Sequence, residues 1–294
     1  MIIVVSDIHL GYDKSDKDNF DSFIDSELAK LNKNDHLVLL GDILDFWRES
    51  CVEVTVEHQT DSSTGTVTPT NKEGLIMKKL YNLQEQTQVH YIIGNHDYAI
   101  LYFSNRVDEF PFPVFRNLHL SIEGSDKKFY FTHGYEFEVL TKFAFMTIEE
   151  YEKLCKRLCD VRQTTVGKIE STLWSALNLK FAGKMFTVVE SITRRPEKRM
   201  KELHPSGKPP KDRMKPLLNP RNKIEELAMS QLARGMFIGG DSNETIVFGH
   251  THSPFITGDK MVANSGSWVT DNDFHDTYIK IDNSGNVSLC QYSP

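Results

Sequence analysis

Short apolar runs alternate with segments of helical periodicity along the first half of the chain. Five runs of four or five largely apolar residues are expected to form buried strands: Ile2–Val5, Leu37–Leu40, Val89–Ile93, Phe129–Thr132 and Thr245–Phe248. Apolar side chains recur every three or four residues at 20–31 and at 75–83, which predicts two amphipathic helices. Strands that alternate with helices favour an α/β fold built in layers.

Two other regions predict loops and the remaining strands. Residues 53–74 are polar and rich in Thr, Ser and Gly, which predicts an exposed loop or a weak hairpin. Met261–Ala263 and Thr277–Ile281 are short β-like runs, and we expect them to form antiparallel hairpins that close a sheet. Both ends of the chain are therefore expected to contribute to one α/β body.

Residues 137–221 differ in character and are predicted to form a helical, basic cap inserted into that body. Helical periodicity predicts amphipathic helices at 143–158 and 166–189 in this region, and a further one at 224–232 that leads into the next strand of the body. Arg194–Lys223 holds eleven Lys or Arg, three Asp or Glu and six Pro, which is typical of a loop. We therefore divide the chain into an α/β body at 1–136 and 222–294 and a cap at 137–221.

Charge is distributed unevenly between these parts. The 294-residue chain has a formal net charge of −7 at pH 7. Residues 142–234 hold 20 Lys or Arg against 11 Asp or Glu, whereas the rest of the chain holds 14 against 30. An acidic body suits cations, and a basic cap suits anions such as phosphates, nucleotides or a lipid surface. A solvated basic face accounts for the cap equally well.

Composition excludes several classes of protein. Hydrophobic residues make up 39% and charged residues 26% of the chain, which supports a packed core and argues against global disorder. No apolar run approaches the roughly 20 residues of a membrane-spanning helix, and Ile2–Val5 is too short for a secretory leader. The four cysteines form neither a CxxC pair nor a dense disulfide pattern, so we expect a reducing, cytoplasmic location.

Five polar clusters each follow a predicted strand. They are Asp7-Ile8-His9, Gly41-Asp42-Ile43-Leu44-Asp45, Gly94-Asn95-His96-Asp97, His133-Gly134 and Gly249-His250-Thr251-His252. One such cluster alone also suits a turn or a helix cap. Because ligands bind at the carboxyl ends of strands in α/β sheets, five clusters in this position predict one shared metal site. The mixed nitrogen and oxygen donors suit Mn²⁺, Fe or Zn²⁺ better than Ca²⁺.

In order and residue type, these clusters resemble the signature of calcineurin-like metallophosphoesterases. The matching motifs are Asp-x-His, Gly-Asp-x-x-Asp, Gly-Asn-His-Asp, His-Gly and Gly-His-Thr-His, and they lie within 1–135 and 245–270. The resemblance implies a four-layer α/β/β/α sandwich that binds two metal ions at its strand ends, with the cap outside the matching regions. It also implies a metal-dependent phosphoric ester or pyrophosphate hydrolase.

Carried over position by position, the resemblance implies a role for each polar residue. One ion would be bound by Asp7, His9 and His252, the other by Asn95, His133 and His250, and both by Asp42. His96 would face the leaving-group oxygen with Asp97 holding its ring, and Asp45 would support the ligands from behind.

The implied chemistry agrees with the residue types. Two cations about 3.5–4 Å apart need a shared anion, which a carboxylate such as Asp42 supplies. Such a pair activates a water for in-line attack on phosphorus and neutralises the phosphate oxygens. The leaving oxygen needs a proton, which a His–Asp pair can donate.

Within the family, the chain is similar to the UDP-2,3-diacylglucosamine pyrophosphohydrolase group. Asp45-Phe46-Trp47 and the segment between His133 and Gly-His-Thr-His carry this likeness, whereas His96 and Tyr135 depart from it, since Arg and Asp often stand there. The group implies a nucleotide- or lipid-linked substrate. Apolar cap residues would accept an acyl chain, and basic ones would grip a diphosphate or contact an anionic membrane.

Two alternatives from other classes remain open at this point. A nuclease or cyclic-nucleotide phosphodiesterase would use Arg194–Lys223 to hold a phosphate backbone, although few aromatic residues accompany that segment for base stacking. A non-catalytic interaction module would require broken ligand positions, and all the motif residues are present.

Overall fold

A computed structural model gives the fold. It describes residues 1–48, 58–60, 67–69, 71–103, 112–122, 124–143, 146–160, 223–230, 234–241, 243–271 and 273–294. The described helices are α1 (Lys17–Ser26), α2 (Lys72–Asn82), α3 (Ile100–Phe103), α4 (Tyr135–Lys142), α5 (Ile148–Asp160) and α6 (Lys223–Met229). Short turns of other helical type lie at Leu28–Lys30, Leu83–Glu85 and Arg234–Ile238.

Thirteen strands occur in the described part of the chain. They are β1 (Ile2–Val5), β2 (His36–Leu40), β3 (His58–Thr60), β4 (Val67–Pro69), β5 (Gln88–Ile92), β6 (Val114–Phe115), β7 (Asn117–Ser121), β8 (Lys128–Thr132), β9 (Glu244–Phe248), β10 (Phe255–Ile256), β11 (Val262–Asn264), β12 (Thr277–Ile281) and β13 (Val287–Gln291). The five predicted buried strands are confirmed as β1, β2, β5, β8 and β9. The weak hairpin is confirmed as β3 and β4.

The strands form two mixed sheets and one small hairpin. The first sheet has the order β13-β12-β1-β2-β5-β6, in which β1, β2, β5 and β6 are parallel. The second has the order β10-β11-β9-β8-β7, in which β8, β9 and β11 are parallel. The fold is therefore mixed α/β, as the alternating pattern predicts.

The hairpin expected at Met261–Ala263 is confirmed, because β11 pairs antiparallel with β10 at the edge of the second sheet. On its other side β11 runs parallel to β9, since the chain reverses twice between these two strands, once on each side of β10. The hairpin expected at Thr277–Ile281 is confirmed, because β12 pairs antiparallel with β13.

Alternating side chains of the first sheet enter two different apolar cores. Ile2 and Val4 of β1 belong to a cluster that also contains Phe129 and Val247 of the second sheet, so the two sheets share this core. The other face of β1 belongs to a cluster with apolar residues of α1 and α2. A third cluster joins the second sheet to α4 and α6. Both faces of these strands are therefore buried, and the open positions lie at the strand ends.

Polar residues mark the starts of the first two long helices. The side chain of Asp16 accepts a hydrogen bond of 3.1 Å from the backbone N–H of Asn19 at the start of α1. Asn71 accepts a bond of 3.1 Å from the N–H of Gly74 at the start of α2. These caps satisfy backbone donors that have no partner within the helix.

Within the predicted cap at 137–221, the structure describes only residues 137–143 and 146–160. α5 agrees with the helix predicted at 143–158, and α6 with that at 224–232. The helix predicted at 166–189 and all but the last residue of Arg194–Lys223 lie outside the described residues. The described residues Phe137 and Tyr151 are buried in the cores of the body. In the described part of the chain, no helix combines the length and apolar character required to cross a bilayer.

Candidate metal centre

Parallel strands of both sheets bring the five polar clusters to one edge. β1, β2 and β5 of the first sheet lead into the clusters at Asp7, Asp42 and Asn95. β8 and β9 of the second sheet lead into those at His133 and His250. Carboxyl ends of parallel strands collect at one edge of a sheet, which explains the convergence.

Backbone hydrogen bonds join these loops to one another. The N–H of Asp7 donates to the carbonyl of Gly41 (3.0 Å), and that of His9 donates to Asp42 (2.9 Å). Across the two sheets, the N–H of His250 donates to the Asp7 carboxylate over 2.9 Å. The loops therefore form one connected unit.

Most of the predicted ligands have a left-handed backbone. The φ angles are 53° for Asp7, His9 and Asp42, 66° for His250 and 54° for His252. Residues with a side chain seldom adopt this region, and such strain is concentrated at functional sites. Here it turns five side chains out of the strand direction at the same edge.

The glycines of the motifs allow the close approach of the loops. A β-carbon at Gly94 would overlap the carboxylate of Asp42, and one at Gly249 would overlap that of Asp7. Any side chain at either position would push a strand-end loop away from its neighbour. Only glycine therefore fits at these two positions.

Asp7, His9 and His252 form the first donor group. Their donor atoms all lie within 4.8 Å of one another. The Nε2 atoms of His9 and His252 are 3.2 Å apart, and the Nε2 of His252 is 3.2 Å from the Oδ1 of Asp7. Two ring nitrogens and a carboxylate oxygen at these distances can bind one divalent cation.

Asp42, His133 and His250 form the second donor group, again with all donor atoms within 4.8 Å. The Nε2 of His133 lies 3.2 Å from the Oδ2 of Asp42. The same Oδ2 lies 3.8 Å from the Nε2 of His9 in the first group. Asp42 therefore stands between the two groups.

Several donor atoms are buried without a hydrogen-bond partner. They are the Oδ1 of Asp7, the Oδ1 of Asn95 and the Nε2 of His133. A buried polar atom without a partner costs about 1–3 kcal/mol, and a cation would remove that cost here. The residues present therefore fit a metal centre.

Neighbouring groups hold the proton of two ligand rings, those of His9 and His133, away from the centre. The Nδ1 of His9 lies 2.9 Å from the Oδ2 of Asp45, and the Nδ1 of His133 lies 2.9 Å from the carbonyl of Leu40. Because these oxygens can only accept, a proton belongs on Nδ1, and Nε2 is the nitrogen that a cation would bind. Metal-binding histidines are commonly held in this way.

The protein charges around the centre also favour a cation. Burial by itself raises the pKa of Asp42, but the nearby histidines, His133 first, lower it well below its ordinary value. Burial by itself lowers the pKa of His133, but Asp42 and then Asp7 raise it to about 10. Carboxylates buried at this density require a positive partner.

His96 is held by Asp45 and not, as predicted, by Asp97. The Nδ1 of His96 lies 2.9 Å from the Oδ1 of Asp45, and its ring stacks on Trp47 at a centroid distance of 4.0 Å. Burial by itself lowers the pKa of His96, but Asp45 and Asp42 raise it above its ordinary value. A buried, ion-paired ring of this kind can carry a proton.

Asp97 has a structural position behind the loops. Its carboxylate accepts hydrogen bonds from the N–H of Ile43 (2.9 Å), the N–H of Gly94 (2.6 Å) and the hydroxyl of Tyr91 (2.7 Å). The sequence pattern favoured Asp97, because it is adjacent to His96 in the chain, whereas Asp45 follows a different strand. The prediction for the Asp97 contact is wrong because the β2 loop turns Asp45 toward the ring.

Sequence reasoning missed two residues at the centre. Glu138 of α4 lies 2.8 Å from the Nε2 of His250 and 2.8 Å from the Nζ of Lys142. Burial raises its pKa, but His250 and Lys142 lower it to about 2, so it is ionised at neutral pH. Arg48 contacts Asp45 and lies 4.1 Å above the ring of Tyr12. An acid five residues after His133 was the available signal for Glu138.

The sequence matches the model of a known protein family. A family model described as calcineurin-like phosphoesterase matches residues 1–254. The matched region contains every predicted ligand, from Asp7 to His252. A comparison with curated proteins found no match.

Proposed function

The chain belongs to the calcineurin-like phosphoesterase family, and on that premise we propose that it hydrolyses a phosphodiester or pyrophosphate bond with two divalent metal ions. The family consists of metal-dependent phosphoester hydrolases. The observation that carries the proposal is the pair of donor groups that meet at Asp42 and contain buried donor atoms without a hydrogen bond.

Each donor group is proposed to hold one ion. Asp7, His9 and His252 would bind the first, His133 and His250 together with the buried Oδ1 of Asn95 would bind the second, and Asp42 would be shared. The position of the Asp42 Oδ2, 3.8 Å from His9 and 3.2 Å from His133, supports the sharing. Mixed nitrogen and oxygen donors favour Mn²⁺, with Fe or Zn²⁺ as alternatives.

The protein side chains supply orientation and a proton. When bound, two such cations lower the pKa of a water molecule and neutralise phosphate oxygens. His96 would donate a proton to the leaving oxygen. Asp45 holds the Nδ1 of His96 and thereby leaves Nε2 to face the substrate. Stacking on Trp47 limits rotation of the ring.

We propose a nucleotide- or lipid-linked substrate, similar to that of the UDP-diacylglucosamine hydrolase group. Support comes from Asp45-Phe46-Trp47, of which Trp47 lies directly against His96, and from the basic composition of 142–234. The cap at 137–221 would hold the substrate or contact an anionic membrane. A cytoplasmic location and a four-layer α/β/β/α body belong to the same proposal, and the three apolar clusters support the latter.

A mass-spectrometric screen tests the proposal. Metal-stripped protein is reloaded with Mn²⁺ and incubated with UDP-acyl sugars, CDP-lipids, other nucleotide sugars, cyclic nucleotides and short nucleic acids. We expect Mn²⁺-dependent release of a nucleoside monophosphate from a nucleotide-linked substrate. Preferential cleavage of nucleic acid, with binding that weakens steeply with salt, would replace it with the nuclease alternative. Full activity of the stripped protein would refute the metal mechanism.

A further inference from the structure

α4 reaches the metal centre through one buried carboxylate. The Oε2 of Glu138 lies 2.8 Å from the Nε2 of His250, and its Oε1 lies 2.8 Å from the Nζ of Lys142. Glu138 is 5% exposed, so water competes little for this contact. Glu138 lies outside the five motifs that this chain shares with the family, so those motifs give it no role.

The contact determines which nitrogen of His250 is available. The Oε2 of Glu138 faces the Nε2 of His250 over 2.8 Å as a hydrogen-bond acceptor, so the proton of the ring belongs on Nε2. The Nδ1 of His250 is then the nitrogen with a free lone pair. His9 and His133 have the opposite arrangement. Their Nδ1 atoms face acceptors, so their Nε2 atoms are the ones left to bind a cation.

We propose that Glu138 is a positioning residue, which holds His250 with its proton on Nε2 and presents Nδ1 to the second cation. The proposal rests on the proposed function, in which His250 is a ligand. It makes α4 part of the metal centre, although this helix begins at the boundary of the predicted cap. Loss of the carboxylate would release the ring and permit the other tautomer.

A second helix holds the neighbouring residue of the same loop. The hydroxyl of Thr251 donates to the Oε1 of Glu225 over 3.2 Å. Glu225 belongs to α6, whose apolar residues share a cluster with Phe137 of α4. The helices before and after the undescribed part of the cap therefore both contact the loop that carries His250.

Metal binding by Glu138→Ala and Glu138→Gln tests the proposal. Equilibrium dialysis against Mn²⁺ with elemental analysis gives the Mn²⁺ affinity of each of the two metal positions. This measurement does not depend on enzyme activity. We expect Glu138→Ala to weaken one of the two affinities by about 10–100-fold and to leave the other within about twofold. Glu138→Gln keeps an oxygen acceptor but loses the charge, so its loss should be smaller.

Glu136→Gln is the matched control. Glu136 is a buried carboxylate on the same helix, and it bonds the Thr132 hydroxyl (2.9 Å) and the Gly134 N–H (3.2 Å). Its substitution should change both Mn²⁺ affinities by less than about twofold, even if stability falls. An equal loss in the Glu136 and Glu138 variants would overturn the proposal, because the effect would then be a general loosening of α4.

A spectroscopic signature separates orientation from stability. In zinc-loaded, histidine-labelled protein, the ¹⁵N spectrum should show one ligand ring bound through Nδ1, identified as His250 by its absence in His250→Gln. Glu138→Ala should lose that signal while the fold is retained. If Glu138→Ala does not fold, Glu138→Gln decides the question.

The outcomes also separate this proposal from the proposed function. Unchanged Mn²⁺ affinities in both Glu138 variants would overturn the positioning role of Glu138. The proposed function as a phosphoester hydrolase would not be touched by that result. A wild-type protein that binds two Mn²⁺ ions and shows the loss in Glu138→Ala, but hydrolyses no phosphoester, would refute the proposed function and leave the positioning role intact.

Discussion

Two groups of histidines lie at opposite ends of the first sheet and have opposite surroundings. At the strand ends, His9 and His96 both contact the carboxylate of Asp45. At the strand starts, His36 and His90 contact each other, with the Nδ1 of His36 3.0 Å from the Nε2 of His90. The His90 Nδ1 is buried and has no hydrogen-bond partner among the described residues.

Partner type accounts for the difference in charge. Burial and then His36 lower the pKa of His90 to about 4, whereas Asp42 and Asp7 outweigh burial and raise the pKa of His133 to about 10. The site end therefore stabilises a protonated histidine, whereas the pair at the strand starts disfavours one. Burial of a histidine does not indicate a metal site unless carboxylates surround it.

Removal of the shared carboxylate should have the largest effect. We expect Asp42→Asn to reduce Mn²⁺-dependent hydrolysis of a chromogenic diester by about 10³-fold or more, since metal stabilisation of the transition state is worth several kcal/mol. The measurement is kcat/KM together with bound Mn²⁺ per chain.

Asp35→Asn is the control at the other end of the sheet. Asp35 is also buried and contacts the N-terminal amine over 2.9 Å near His36. Its substitution should lower thermal stability and leave kcat/KM within about twofold. Wild-type turnover by Asp42→Asn would show that the strand-end group is not the active centre.

Substrates with poor leaving groups should reveal the role of His96. We expect His96→Ala to lose about 100-fold on an alkyl ester, because general acid catalysis contributes at least about that much. A p-nitrophenyl ester needs little protonation and should lose less than about tenfold. Equal losses on the two esters would exclude His96 as the acid.

Neutralising the carboxylate between the two rings should have a moderate effect. Asp45→Asn keeps an acceptor for His9 or His96 but removes the charge, and we expect about tenfold loss in Mn²⁺ affinity or activity. Asp97→Asn is the matched variant, since Asp97 bonds backbone and Tyr91 instead. If only Asp97→Asn impaired activity, the assignment of Asp45 would be incorrect.

The smallest predicted effect concerns the strand-start pair. Because the pKa of His90 is lowered to about 4, the unfolded chain takes up its proton at a higher pH than the folded protein. The contribution of His90 to the free energy of unfolding should therefore be complete above about pH 6.5 and be lost as the pH decreases toward 4. The free energy of unfolding of the wild type should fall between pH 7 and 5. Because His90 is partly exposed, we expect this fall to be smaller by only about 1 kcal/mol in His90→Phe.

Chemical denaturation at several pH values measures this effect. The variant should keep wild-type kcat/KM, since His90 lies at the opposite end of the strands. His119→Phe is the control, because His119 contacts Glu244 over 2.8 Å and is half exposed. Equal acid sensitivity of wild type and His90→Phe would show that the pair at the strand starts does not titrate as described.

The sequence by itself determined the strands and the residues at their ends. Short apolar runs predicted β1, β2, β5, β8 and β9, because strands buried on both faces need apolar side chains at successive positions. The polar clusters after them named the donors of both groups, since parallel strands deliver their ends to one edge. These properties depend on residues adjacent in the chain.

Only the tertiary structure decided which side chains became partners. Asp45, not Asp97, holds His96, Glu138 holds His250, and β11 pairs parallel to β9. Each of these contacts joins residues far apart in the chain, so its direction depends on how whole loops and sheets pack. A local pattern shows that a carboxylate is near the strand end, but the nitrogen it faces is set by the left-handed turns and close loop contacts of the folded chain.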